Sequence, residues 1–141
     1  MSSETADGAI EIIEHTADWA LRVRGRDQAE LFRHAARGMA VLLVGERPTF
    51  ISTETRSISL ESYDMEGLLV EWLGELAYWA EQDGFIYQEI EPAEWTPTSI
   101  AGTIHGGLSA ELQKHIKAVT YHNLAIRHIE GGLEVTIVFD V

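Results

Sequence analysis

The polar segment with the clearest capacity for chemistry is His15-Thr16-Ala17-Asp18, which opens a stretch with one apolar face from Trp19 to Arg24. Its period of two residues is typical of a half-buried strand. One interpretation is that this strand presents His15 and Asp18 at its edge as ligands. The other is a turn in which Thr16 and Asp18 hydrogen-bond the nearby backbone. The spacing alone leaves both interpretations open.

A second candidate site lies at the end of the sequence, where Asp140 is followed by Val141 and its terminal carboxylate. Asp140 has the opposite parity to the apolar residues of a predicted last strand, so its side chain is expected to point away from the core. Carboxylate oxygens are the ligands that calcium and magnesium prefer, and two close carboxylates stay charged together only beside a cation. The ending therefore indicates a cation site; the alternative is a frayed, solvated terminus.

A third polar group comprises His115, Lys117, Tyr121 and His122, within a segment predicted to be extended. Such a group has the residue types for general acid–base chemistry, although cross-strand packing is the commoner explanation. Other catalytic patterns are absent from the sequence, including the glycine-rich phosphate loops, G-x-S-x-G and HExxH. The residues by themselves thus indicate an α+β domain with a candidate cation site.

Two helices are predicted to support these segments. Asp27, followed three residues later by Glu30, predicts a capped helix start, and the apolar residues after it recur every three to four positions until Gly45. Asp64 is predicted to begin a second helix with a wide apolar face that ends at Asp83-Gly84. The predicted strands before the last quarter of the chain are Gly8–Glu14, Asp18–Arg24, Thr49–Ser62, Phe85–Glu91 and a weak one at Ser99–Ile104.

The last part of the chain is predicted to be mostly β-structure. It contains an irregular piece bracketed by Pro92 and Pro97, a loop at His105-Gly106-Gly107, a helical turn within Ser109–Lys114, and a long hairpin with arms Ile116–Ile129 and Leu133–Val141 and the turn Glu130-Gly131-Gly132. This late run of strands predicts an α+β fold. We expect a two-layer sandwich in which both helices pack on one face of a mainly antiparallel sheet.

The composition argues against several classes of function and structure. With 23 acidic and 10 basic residues the formal charge is −13, and such a chain repels phosphate backbones. We therefore expect no nucleic-acid binding by this chain alone. Its negative electrostatic field favours divalent cations or a basic protein partner instead. There is no cysteine to ligate zinc, and no apolar run approaches the roughly 18 residues of a membrane helix.

The domain organisation follows from the same composition. Residues 1–7 are polar and acidic and are predicted to form a disordered lead, and residues 8–141 one domain. The lead lacks the basic start and apolar core of a signal peptide. A cytoplasmic location is expected.

Taken together, three segments resemble the archease family. They are Glu14-His15-Thr16-Ala17-Asp18 followed by the alternating strand and capped helix, Lys117-Ala118-Val119-Thr120-Tyr121-His122-Asn123-Leu124, and Phe139-Asp140-Val141. The helix segment Leu68–Leu76 also matches the family pattern Leu-Leu-x-x-Trp-Leu-x-Glu-Leu. The resemblance covers nearly the whole chain after the first eight residues, in the same order and spacing.

The resemblance implies an archease-like fold and a non-enzymatic role. Members of the family assist the GTP-dependent RNA-splicing ligase, promoting its guanylylation and repeated turnover on tRNA halves or broken RNA. By this resemblance, Asp18, Asp140 and the terminal carboxylate of Val141 bind a divalent metal, calcium being expected and other divalent ions possible. His15 would orient the loop beside the metal, and Lys117 and His122 would belong to the neighbouring surface.

One departure from the family concerns His115. The family usually has an acid just before the Lys-Ala-x-Thr-Tyr run, and here His115-Ile116 precedes Lys117. A histidine in that place favours transition metals relative to calcium. Two alternative functions remain at this point: a chaperone-like interaction module, and a small metal-dependent hydrolase that uses Asp18, His115 and His122.

Overall fold

The computed structural model describes residues 2–4, 8–14 and 18–141, and only the backbone of residues 2–4 and 14. Its elements in chain order are β1 (Ser2–Glu4), β2 (Ile10–Glu14), β3 (Asp18–Gly25), α1 (Gln28–Val44), β4 (Ser52–Glu61), α2 (Met65–Asp83), β5 (Phe85–Thr96), β6 (Ser99–Leu108), β7 (Ala118–Thr120), β8 (Arg127–Ile129) and β9 (Gly132–Asp140). No helix in the described ranges combines the length and the apolar character that a bilayer crossing requires.

The described strands form two antiparallel sheets. The larger sheet has the order β1-β2-β3-β9-β7, with β8 also paired to β9, and the smaller sheet has the order β4-β6-β5. The α+β class, the two helices and the antiparallel pairing predicted from the sequence are confirmed. The difference is that the strands are divided between two sheets, with the helices packing against both.

Both helices start and stop where the capping residues predict. The Asp27 side chain accepts a hydrogen bond from the Glu30 N–H at 2.9 Å, and the Asp64 side chain accepts one from the Gly67 N–H at 2.7 Å. These bonds satisfy amide donors that have no partner within the helix. The ends also follow prediction: Gly84 ends α2 in the left-handed conformation, with φ 75°.

The helices join the two sheets through one hydrophobic core. Helix α1 packs against β3 and β5, α2 packs against β5 and β7, and the helices contact each other. The largest fully buried side chains include Trp72, Phe32, Phe85 and Phe139. The Trp72 indole N–H donates a 2.9 Å hydrogen bond to the Phe32 carbonyl oxygen, so the one polar atom of this buried ring is satisfied.

The loop predicted at His105-Gly106-Gly107 is wrong, because β6 runs through all three residues and pairs with β4. The two glycines are required for packing and make no turn. A Cβ on Gly107 would meet the ring of Phe50, and a Cβ on Gly106 would meet the ring of Phe85. Consecutive glycines usually indicate a turn; here they let aromatic rings lie directly on the strand.

Three further segments differ from prediction. Strand β5 continues past Pro92 to Thr96, with two register shifts in its pairing with β6. The predicted helical turn in Ser109–Lys114 is absent, because this backbone bonds distant groups: the Ser109 N–H donates to the Gly84 carbonyl and the Gln113 N–H to the Leu43 carbonyl. The first arm of the predicted hairpin consists of β7 and β8, which pair with separate parts of β9.

The N-terminal lead contains a short strand. Residues Ser2–Glu4 form β1, which pairs antiparallel with β2 at one edge of the larger sheet, where the sequence predicts disorder. Edge pairing uses backbone groups and requires no apolar pattern in the side chains. The other residues of the predicted lead, 1 and 5–7, lie outside the described residues.

Candidate metal centre

The centre of the candidate site is a pair of aspartates on neighbouring strands. In the antiparallel pairing of β3 with β9, Asp18 lies directly opposite Asp140. The next pair inward is Trp19 with Phe139, and Phe139 is fully buried. Because one residue of slip would exchange the core and solvent faces of a strand, the buried residues of β9 hold the two aspartates in register. Two carboxylates thus come together at one end of the larger sheet.

A third strand holds the other side of Asp140. Ala118 of β7 is its second cross-strand partner, and the Lys117 N–H donates a 2.8 Å hydrogen bond to the Asp140 carbonyl oxygen. The backbone of Asp140 is therefore fixed by β3 on one side and by the start of β7 on the other, while its side chain stays exposed. Lys117 was predicted to belong to the neighbouring surface, and its contact with Asp140 here is made by the backbone.

Both lysines of the chain, Lys114 and Lys117, lie at this end of the sheet. The Lys114 Nζ is 3.9 Å from the centroid of the Trp19 ring, a distance at which the ring face attracts an ammonium group. Trp19 immediately follows Asp18 in β3. Because side chains alternate along a strand, the Trp19 ring and the Lys114 ammonium group on it lie on the opposite face of the sheet from the Asp18 side chain. The contact of Lys114 with Trp19 could not be predicted from the sequence, because no local pattern relates this lysine to a ring in β3.

Of the three histidines predicted at or near the site, two contact other residues and one is not described. The His115 Nδ1 is 3.0 and 3.1 Å from the two carboxylate oxygens of Glu81 in α2. The His122 Nε2 is 3.2 Å from the Asn123 side-chain nitrogen, in a turn where Asn123 has φ 54°. His15 lies outside the described residues. The pairing with Glu81 gives His115 a partner of its own, separate from the two aspartates.

The donor atoms at this site are of the type that binds a hard cation. Asp18, Asp140 and the carboxylate of Val141 offer oxygen only, which is the ligand type of calcium and magnesium. Within residues 8–13 and 18–141 no three His, Asp or Glu side chains form a cluster able to hold a metal ion. The two aspartates therefore fit as part of a ligand set that the chain's final carboxylate, backbone oxygens or a partner would complete.

Known proteins resemble this chain over almost its whole length. The model of the Archease protein family matches residues 10–141. The chain is 34% identical to the protein archease of Methanosarcina barkeri over 140 residues, which cover 93% of this chain and 94% of that protein. It is 31% identical to the protein archease of Saccharolobus islandicus over 144 residues, covering 94% and 99%.

Two solved structures share the fold. The solution structure of Methanobacterium thermoautotrophicum protein 1598 has a TM-score of 0.71 at 22% identity, covering 94% of this chain and 99% of that one. The crystal structure of an archease, described as a possible chaperone, from Thermotoga maritima has a TM-score of 0.63 at 23% identity, covering 92% and 94%. At 22% and 23% identity, these two structures show only that the fold is shared. The assignment of the chain to a family rests on the family model and on the relatives that are 31% and 34% identical. The chain belongs to the archease family.

Proposed function

We propose that this chain is a non-enzymatic, metal-binding accessory protein of a GTP-dependent RNA-splicing ligase, and that it promotes guanylylation and repeated turnover of that enzyme. The observation that carries the proposal is the pairing of Asp18 with Asp140 at the end of the larger sheet. Family membership directs the proposal to the ligase. The charge of −13 favours a protein partner over direct contact with RNA.

The proposed metal ligands are Asp18, Asp140 and the terminal carboxylate of Val141. When bound, a divalent cation of the calcium type supplies positive charge that neutralises these carboxylates and is available to phosphate oxygens. The chain's own contribution is positioning: β9 holds Asp140 against β3, and the Lys117 N–H fixes the Asp140 carbonyl. We propose that this end of the sheet faces the nucleotide site of the ligase, where the placement of charge on phosphates is most of the catalysis.

The test counts product per ligase molecule with excess broken RNA, GTP and divalent metal, with and without catalytic amounts of this protein. The natural chain is expected to raise the yield from about one turnover to many. Asp18→Asn and Asp140→Asn keep the side-chain shape and are each expected to reduce the stimulation by about tenfold or more, a typical loss when a group orienting a metal or reacting phosphate is removed. Glu130→Gln, in the turn at the opposite end of β9, is the matched control and should stimulate fully.

Metal binding has its own measurement. Calcium is expected to raise the thermal midpoint of the natural chain, since a ligand that binds only the folded state stabilises it by mass action, and to leave both Asn variants unmoved. One residue added after Val141 displaces the final carboxylate and should weaken the calcium effect. Full stimulation by both Asn variants would refute the metal role, and no stimulation by the natural chain would refute the ligase role.

The two alternative functions, a hydrolase and a chaperone-like module, predict different results in these assays. A hydrolase using Asp18, His115 and His122 needs these groups together, yet His115 pairs with Glu81 and His122 lies in a turn beside Asn123. Substrate turnover by the chain alone would favour it. A chaperone-like module would protect unrelated unfolded clients from aggregation, and would do so equally well with both aspartates replaced.

A further inference from the structure

A groove lies beside the candidate metal centre, between α2 and the segment that leads into β7. Its volume is about 520 Å³. One wall is helical and the other extended, and the residues of interest along them are Gly74, Ala77, Tyr78, Glu81, Lys117 and Val119. Ala118, between the last two, is the cross-strand partner of Asp140. The groove therefore begins where the carboxylate pair is held.

Gly74 has no packing role within the described chain. It lies in the middle of α2, and a Cβ built on it would meet no atom within 4 Å. The helical glycine of α1 is different, because a Cβ on Gly38 would approach the side chains of Ile10 and Leu21 at 2.9 and 3.1 Å. A glycine inside a helix lowers helix stability relative to alanine. At Gly74 the missing side chain leaves the groove open to close approach from outside.

The opposite wall ends in an exposed strand edge. In the larger sheet β7 is a terminal strand, paired with β9 on one side and with no other described strand. An edge strand presents unpaired backbone N–H and C=O groups, which an incoming extended segment can bond. Tyr78, 58% exposed, and half-buried Val119 supply apolar contact beside that edge.

The charges near the groove favour a basic occupant. Helix α2 carries five acidic residues and no lysine, arginine or histidine: Glu66, Glu71, Glu75, Glu81 and Asp83. From the extended wall, His115 pairs with Glu81, and Lys117 lies at the end next to Asp140. Asp83 pairs with Arg56, Glu81 with His115, and Glu66 accepts a hydrogen bond from the Ile126 N–H. Glu71 and Glu75 are therefore the carboxylates of α2 that the lysine or arginine side chains of a segment lying beyond Lys117 would complement.

We propose that this α2–β7 groove binds an extended, lysine- or arginine-bearing segment of the ligase. The segment pairs with the outer edge of β7, places one apolar side chain over Gly74 beside Tyr78, and directs its basic side chains to α2. This inference rests on the proposed function and adds the docking surface to it. The segment tethers the ligase, and the carboxylate pair next to Ala118 is thereby delivered to the nucleotide site.

The experiment uses Gly74→Gln, which fills the groove with a residue of higher helix propensity. Its thermal midpoint should equal or exceed that of the natural chain, so weaker binding would not be due to unfolding. The dissociation constant for the purified ligase is expected to rise about tenfold or more, as when a central contact of an interface is blocked. Stimulation at saturating concentration should be preserved. Asp18→Asn is the opposite case, with near-normal affinity and lost stimulation.

A photo-crosslinking residue identifies the bound segment. Placed at Tyr78 it should capture one basic, extended stretch of the ligase, read by mass spectrometry, whereas the same residue at fully exposed Tyr63 should not. Unchanged affinity of Gly74→Gln, or a crosslink from Tyr78 to an acidic or helical stretch, would overturn the groove while leaving the proposed function intact. A natural chain that neither binds nor stimulates the ligase would overturn both.

Discussion

At the scale of single residues, the two helical glycines are expected to respond oppositely to the same substitution. Gly74→Ala adds a methyl group where space is open and should raise the free energy of unfolding by about 0.5–1 kcal/mol, the helix propensity difference. Gly38→Ala forces a methyl group against Ile10 and Leu21, both fully buried. Overpacking of this kind costs about 1–3 kcal/mol, which exceeds the propensity gain. Urea unfolding of both variants checks the prediction; equal shifts would contradict it.

Ionisation of Tyr87 is expected to lower the stability of the fold at alkaline pH. Its side chain is buried, and desolvation raises the pKa of its hydroxyl from 10.0 to about 12. A group with a raised folded-state pKa keeps its full contribution below the unfolded value and loses it as the pH rises through the folded value. About two pKa units correspond to about 2–3 kcal/mol, so this amount of stability should be lost between pH 10 and 12.

The measurement is urea unfolding of the natural chain and of Tyr87→Phe at several pH values from 9 upward. The variant lacks the titrating hydroxyl, so its stability should fall less steeply over this range. Tyr63→Phe is the matched control because Tyr63 is fully exposed, and its curve should follow that of the natural chain. Parallel curves for all three proteins would show that Tyr87 ionises equally well in the folded and unfolded states.

Local chemistry determined which residue-level features could be predicted. The caps at Asp27 and Asp64 follow from side-chain reach over three residues and are present as predicted. The outward parity of Asp140 follows from the alternation of β9. The contacts of His115 with Glu81 and of Lys114 with Trp19 join residues 34 and 95 positions apart. No periodicity encodes such pairs, because they depend on how elements pack.

At the scale of elements, Arg56 ties β4 to α2 and β5. Its guanidinium lies 2.7 Å from the Glu54 carboxylate and 2.6 Å from that of Asp83, and 4.2 Å from the Phe85 ring centroid. Partial burial alone would lower the pKa of Arg56, but the hydrogen bonds with Asp83 and Glu54 outweigh it and raise that pKa. The cation is therefore held in its charged form between three elements.

Arg56→Met should lower the free energy of unfolding by about 1–2 kcal/mol, since it removes two charge-assisted hydrogen bonds and a ring contact that are partly exposed to solvent. Arg127→Met is the control: Arg127 pairs with Glu134 but its side chain is 70% exposed, so its loss should cost within about 0.5 kcal/mol. A double-mutant cycle of Arg56 with Asp83 measures the link between β4 and α2 directly. Additive effects would show that this link contributes nothing.

The predicted ends of strands were wrong at segments that contain glycine or proline. Gly106 and Gly107 resemble a turn in sequence, but the rings of Phe85 and Phe50 occupy the space that their side chains would fill. The strand β5 passes Pro92 because its pairing with β6 shifts there. The division into two sheets was also not predicted: among the described strands, β4, β5 and β6 pair only with one another.

At the scale of the whole molecule, the charges are unevenly distributed. Five of the eight arginines fall between residues 22 and 37, in β3, α1 and the turn between them, whereas α2 has acids only. Several of these arginines pair with nearby acids, as in Arg22 with Glu11 and Arg26 with Glu30. Helix α2, which borders the groove, is thus more negative than the region of β3 and α1. A partner with a basic surface is expected to approach from that side.

This field makes the association with the ligase sensitive to salt. Exposed charges farther apart than about 8–10 Å are screened at physiological ionic strength, so the association rate should fall about tenfold or more between 50 and 500 mM salt while dissociation changes less. Stopped-flow mixing with a labelled ligase measures both rates. A variant with Glu71→Gln and Glu75→Gln keeps the shape of α2 and should give a smaller salt slope, whereas Glu130→Gln should not. A slope unaffected by the two α2 substitutions would mean that the ligase approaches from another side.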